Sequence, residues 1–125
     1  MKKNAFRQVI HPGPRGTVRY LINTIYGVKP VCGPRLSEHF AARRYEDDDQ
    51  RIWVMTHLPT GLYVPWSARR ILYRSQQVAA VLEQAVDWSK AKRPGLTKTL
   101  SQRLVAEIQK IPDTPRRARE KASVV

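Results

Sequence analysis

The segment Arg51–Pro65 constrains the fold more than any other part of the chain. Arg51–His57 is rich in β-branched and aromatic residues, as a strand prefers. Leu58-Pro59-Thr60-Gly61 follows, with proline second and glycine fourth, the pattern of a type I turn. Leu62–Pro65 returns as a second strand, so the whole segment reads as a β-hairpin. Pro65 lacks an amide donor, so the returning strand is an edge there or has already ended.

Helical patterns come after the hairpin. Ser67 is positioned to cap a long helix over Ala68–Ala91, with Ile71, Val78, Leu82, Ala85 and Val86 at helical spacing and Leu72 and Trp88 beside them. Lys92-Arg93-Pro94-Gly95 stops it. Thr99-Leu100-Ser101-Gln102 matches a capping box, in which two side chains satisfy each other's free backbone amides. The helix it opens carries Leu100, Leu104, Ile108 and Ile111 on one stripe and ends before Pro112. A sheet with helices on one face would bury both stripes, so the fold class is α+β, an antiparallel sheet packed against two C-terminal helices.

The N-terminal half is less decided. Ala5–Ile10 suggests a short strand, and His11–Gly16 a loop rich in proline and glycine. Val18, Leu21, Ile22 and Ile25 share a helical face, while Val18, Tyr20, Ile22, Thr24 and Tyr26 alternate as in a strand. The helix is the preferred reading, with Gly27 and Pro30 to stop it. Ser37 can cap a further helix running through Glu38 and Ala42 toward Tyr45, before the solvated run Glu46–Asp49.

A chain of 125 residues suits one domain, read here as residues 1–112 with a basic, mobile tail over 113–125. The apolar fraction of 42% is enough for a core. In the C-terminal half the longest wholly apolar run is Val78–Leu82, far short of the ~20 residues that span a bilayer. No apolar stretch follows the basic N-terminus, so a cytoplasmic protein is expected. Cys32 is the sole cysteine, which excludes an intramolecular disulfide and a cysteine-built zinc site.

Charge is the strongest functional signal. Lys and Arg number 23 against 10 Asp and Glu, a formal net charge of +13. Residues 1–30 carry six basic side chains and no acidic one, and residues 91–125 carry nine against three. The middle is nearly neutral. Basic arms flanking a folded centre attract polyanions, of which nucleic acid is the commonest in the cytoplasm.

The candidate contacts follow from that. Arg15 and Arg19 flank Thr17, where a helix N-terminus would complete a phosphate-binding corner; an ordinary loop is the plainer alternative. Arg69, Arg70 and Arg74 fall in the first turns of the long helix. Basic residues oppose the macrodipole there, so they either line a phosphate backbone or pair with Asp47–Asp49. Arg116, Arg117, Arg119 and Lys121 form a tail cluster that would add affinity through counterion release. Trp53, Trp66 and Trp88, with Tyr63 and Tyr73, gather around the hairpin and long helix. Hairpin and core packing is their plainer role; stacking on unpaired bases is the alternative.

Enzyme signals are weak. Glu46–Asp49 could hold a magnesium ion in a nuclease, but neighbouring carboxylates point different ways, and no nucleophile–base pair stands out. His11, His39 and His57 are scattered, without ligand spacing. The expectation is a small basic non-enzymatic accessory protein with no cofactor or metal, binding DNA or RNA through phosphates. The alternative is an inhibitor or regulator, of the sort phages and plasmids direct at a host or defence complex, using the same basic surface.

Overall fold

The computed structural model describes residues 6–47, 50–90 and 100–112. They form an α+β fold with two antiparallel three-stranded sheets and two α-helices. The first sheet holds β1 (His11–Pro12), β2 (Val18–Thr24) and β3 (Gly27–Gly33), in that order. The second holds β4 (Phe40–Asp47), β5 (Gln50–His57) and β6 (Leu62–Tyr63). Helices α1 (Leu72–Ala85) and α2 (Gln102–Gln109) follow. No helix among the described residues is long and apolar enough to cross a membrane.

The hairpin read at Arg51–Pro65 is present as β5 and β6, in register His57↔Leu62 and Thr56↔Tyr63. Its turn is tied by the amides of Thr60 and Gly61, both donating to the His57 carbonyl, and Gly61 supplies the left-handed φ of +71°.

The helix expected over Thr17–Tyr26 is instead strand β2. Tyr20 and Ile22 are buried while Arg19 is exposed, so the alternating pattern wins. The strand turns into β3 through Ile25 and Tyr26, with Gly27 at φ +113°. Thr24 organises this turn: its hydroxyl donates to the Gly27 carbonyl and accepts from the Tyr26 amide.

The helix expected from Ser37 toward Tyr45 is likewise a strand, β4, paired with β5 from Phe40↔His57 to Asp47↔Gln50. Local helix propensity in Ala41 and Ala42 yields to that long ladder. Both alanines are fully buried, and the backbone of Ala42 comes so close to Gly33 that position 33 has no room for a side chain. Residues 6–10 form no strand. Gln8 nevertheless acts along β2: its Nε2 donates to the Leu21 carbonyl at 2.8 Å and its Oε1 accepts from the Leu21 amide at 2.7 Å.

Backbone links join the sheets at both ends. Beyond β3, Arg35 bridges to Ala41 and the Ala42 amide donates to the Pro34 carbonyl. On the far side of β2, the Asn23 amide donates to the Gly61 carbonyl. Tyr20, Ile22, Ala41 and Leu58 are buried between the sheets. The second sheet's other face carries Phe40 and Met55, which meet Val78, Ala79 and Leu82 of α1, Leu104 and Ile108 of α2, and Trp88. One sheet thus separates two apolar layers.

Helix α1 begins later than read. Ser67 does not cap it; its hydroxyl donates to the Val64 carbonyl, and extended Ile71 precedes the first turn. The helix ends at Ala85 rather than Ala91, a 3-10 turn covers Trp88–Lys90, and Ala85 and Val86 are exposed. Helix α2 is capped by Ser101, whose Oγ accepts from the Leu104 amide; Thr99 lies outside the described residues. Its stripe of Leu104 and Ile108 is buried as expected, as is Leu100 just before it.

Candidate nucleic-acid interface

Arg15 and Arg19 are both exposed. Arg15 sits in a short 3-10 turn, Pro14–Gly16, with a left-handed φ of +54°. Thr17 closes that turn: its amide and hydroxyl both donate to the Pro14 carbonyl. Arg19 follows on β2, opposite His11 and Cys32. No helix starts at Thr17, so the corner lacks the helix-terminal amides expected of it. It retains its two guanidinium groups.

The triplet Arg69, Arg70 and Arg74 divides. Arg69 precedes α1 and pairs by its backbone with Trp53, each amide donating to the other's carbonyl. Its side chain is 6% exposed and donates to three carbonyls: Trp66 and Ala68 through Nη1, Ile108 through Nη2. Arg74 is buried as well, where a contact to a phosphate backbone needs it on the solvent side. Its Nη1 donates to Gln77 and its guanidinium lies 5.7 Å from the Tyr73 ring centroid. Arg74 stands four and eight residues before Val78 and Leu82 and so shares their buried face of α1. Only Arg70 of the three is exposed. Arg116, Arg117, Arg119 and Lys121 lie outside the described residues, as do Asp48 and Asp49.

The aromatic group also divides. Trp88 is fully buried, edge-on to Phe40 at 5.2 Å, with its indole N–H donating to the Leu82 carbonyl. Trp53 is half-buried, 5.6 Å from the Arg44 guanidinium. Tyr63, Trp66 and Tyr73 are exposed at 50%, 49% and 61%. The first two flank Val64 and Pro65, and Tyr73 opens α1, so these rings accompany Arg70 on one stretch of chain. Sequence reading passed over a second exposed group, Ile25 and Tyr26 at the β2–β3 tip, with Lys29 lying 5.9 Å from the Tyr26 ring. The only available signal was that these apolar residues lie between alternation and Gly27.

The histidines are placed by structural bonds. His39 joins β4 to α1: its amide and Nδ1 both reach the Glu83 carboxylate at 2.8 Å. Burial alone would raise the Glu83 pKa, but the His39 ring, Ser37 and the His39 amide outweigh it and hold the group below 4.5. His57 is fully buried between Phe40 and Trp88. Its Nε2 faces the Trp88 carbonyl at 2.9 Å and so carries the proton, leaving Nδ1 to accept from the Thr60 hydroxyl at 2.8 Å. Both ring nitrogens are therefore committed within the protein. Among the described residues, no group of three or more metal-ligating side chains comes together.

His57 gives a pH prediction. Burial lowers its pKa below 6.5, against the pull of the Trp88 carbonyl. Below that value the unfolded chain takes up a proton here that the folded chain resists, so stability is lost on acidification from about pH 6.5. One such group contributes at most about 1.4 kcal/mol per pH unit, and nothing above pH ~7. The depressed Glu83 contributes only in a lower window, beneath 4.5. Urea denaturation between about pH 7 and pH 5 checks this. A flat profile there would show that His57 does not resist protonation.

Compared with known protein families, curated proteins and solved structures, the chain matches none of them.

Proposed function

We propose that this is a non-enzymatic, cytoplasmic nucleic-acid-binding accessory protein that grips phosphates with exposed arginines. The observation that carries the reading is charge distribution. The chain holds 23 basic residues against 10 acidic ones, and its first acidic residue is Glu38. The first sheet is therefore built entirely from a segment without a carboxylate side chain. Arg15, Arg19 and Arg70 are exposed on the folded part, and the basic residues of 113–125 extend the set. Arg69 and Arg74 belong to the interior and support the surface from below.

Binding to random-sequence DNA or RNA should be measurable by fluorescence anisotropy at about 50 mM salt and weaken steeply toward about 200 mM. Replacing Arg15, Arg19 and Arg70 together should flatten the log–log salt slope by ~0.7–0.9 per lost phosphate contact. Arg15→Gly suits the first site, because the backbone there is already left-handed. Absence of binding at the low-salt end would overturn the reading.

In that event the inhibitor reading takes its place. It is favoured by the β2–β3 tip, where Ile25 and Tyr26 are 90% and 83% exposed. An apolar tip on a basic hairpin fits an acidic partner protein with a small apolar recess. Ile25→Ser with Tyr26→Ser is then the variant to compare in pull-downs.

A further inference from the structure

Trp66 adopts a backbone conformation that tryptophan avoids. Its φ is +62°, in the left-handed region, where a bulky side chain crowds its own backbone. Such a conformation persists only when the surroundings enforce it, and such positions cluster at functional sites. The enforcement here is visible. The Ser67 hydroxyl donates to the Val64 carbonyl on one side of Trp66. Arg69 donates to the carbonyls of Trp66 and Ala68 at 2.9 and 2.7 Å, while its own backbone is fixed to Trp53 of β5.

This arrangement does not serve packing. Trp66 belongs to neither apolar layer and stays half exposed, whereas Trp88 shows what a buried indole does in this fold. The left-handed turn holds a large flat ring toward solvent on a rigid support. Tyr63 and Tyr73 are exposed on the same stretch, and Arg70 is exposed between Trp66 and Tyr73. A presented ring with an exposed arginine four residues further along the chain matches a nucleotide: the base lies on the ring and the phosphate meets the cation. In a duplex both faces of a base are already stacked, so the ring can serve only an unpaired base.

We infer that Trp66 is a stacking platform for an unpaired nucleobase, and that the chain binds single-stranded nucleic acid in preference to duplex. The inference rests on the nucleic-acid reading above and adds its substrate class. It predicts an unusual separation of stability from binding. Trp66→Gly removes the strain, because glycine adopts this φ freely, and so retains or raises the melting temperature. The same substitution removes the ring.

The test uses the full chain with fluorescein-labelled oligodeoxythymidylate, oligouridylate and a duplex of equal length, across a salt series. Wild type is expected to bind either single strand more tightly than the duplex. Trp66→Gly and Trp66→Asn, both compatible with a left-handed backbone, should weaken single-strand binding by about 5- to 150-fold. Trp66→Phe should retain most of it. The salt slope should stay at the wild-type value in all three, because stacking releases no counterions, whereas the arginine variants flatten it. Wild-type affinity in both Trp66→Gly and Trp66→Asn overturns the stacking role while leaving the nucleic-acid reading intact. Equal or tighter binding of duplex by wild type does the same. Binding of none of the three probes by wild type removes both.

Discussion

Gly33→Ala is expected to destabilise the fold by at least about 3 kcal/mol, a large share of the roughly 5–15 kcal/mol of a small domain. A Cβ at Gly33 would stand 1.7 Å from the Ala42 carbonyl oxygen and 2.8 Å from its carbon. Those are backbone atoms, held by the ladder in which Ala42 pairs with Met55, so no rotamer change relieves the clash. Relief requires β3 and β4 to separate, which opens the layer around Tyr20 and Ala41. Gly27→Ala is the control. It sits at φ +113° but a Cβ there meets nothing within 4 Å, so it incurs only local strain, about 1–3 kcal/mol. Urea denaturation of both variants checks the order. A Gly33→Ala midpoint equal to that of Gly27→Ala or higher would mean that the close approach is not a constraint.

Arg69→Ala should be nearly as damaging, and for a reason unrelated to nucleic acid. The guanidinium ties the segment before α1 to the Ile108 carbonyl in α2, at 2.7 Å. Removing it leaves the buried carbonyl of Ile108 and the part-buried carbonyls of Trp66 and Ala68 without this donor. Hydrogen bonds from a charged donor are each worth about 1.5–3 kcal/mol, and a cavity adds to the loss. The expected total is at least about 3 kcal/mol. Arg69→Lys should recover little, since a compact ammonium cannot fork to separated acceptors. Thermal and urea denaturation measure this. A change within about 0.5 kcal/mol of wild type would assign Arg69 to the solvated surface, where substitutions have effects of that size.

How much of this could be read from the sequence depended on how local each cause is. The hairpin at Arg51–Pro65 was legible because its strand composition and its turn are both written within one short segment. The stripe of Leu104 and Ile108 was legible because its spacing alone defines a buried face. β2 was ambiguous because Ile22 fits both periods. The decisive fact is that Ile25, which completed the helical stripe, sits exposed at a hairpin tip, and only the pairing with β3 reveals that. β4 was misread because Ala41 and Ala42 favour helices locally, whereas their conformation is fixed by pairing with Thr56 and Met55 of β5. Among the site residues, Arg15, Arg19 and Arg70 were legible as exposed charges. Arg69 was not, because it lies ahead of α1 in a long-range pairing with Trp53; Arg74 was misread although its spacing to Val78 and Leu82 already put it on the buried stripe. The conformation of Trp66 left no trace in composition or spacing.

The side chain of Gln8 has a consequence for how the protein behaves in a crowd of its own copies. Leu21 and Pro30 form a non-hydrogen-bonded pair of the ladder, so Leu21 directs its amide and carbonyl away from β3 and the amide that Pro30 lacks is not needed there. A strand edge with open groups is a template on which a second chain can lay itself, the first step of edge-to-edge aggregation. β1 covers only Val18 and Arg19 of that edge, and the Gly61 carbonyl covers Asn23. Between them a primary amide, carrying one donor group and one acceptor as a peptide does, occupies both positions of Leu21 and reaches on to the Leu58 carbonyl. One glutamine thus does the work of a missing strand residue, and it keeps β2 from recruiting a neighbour.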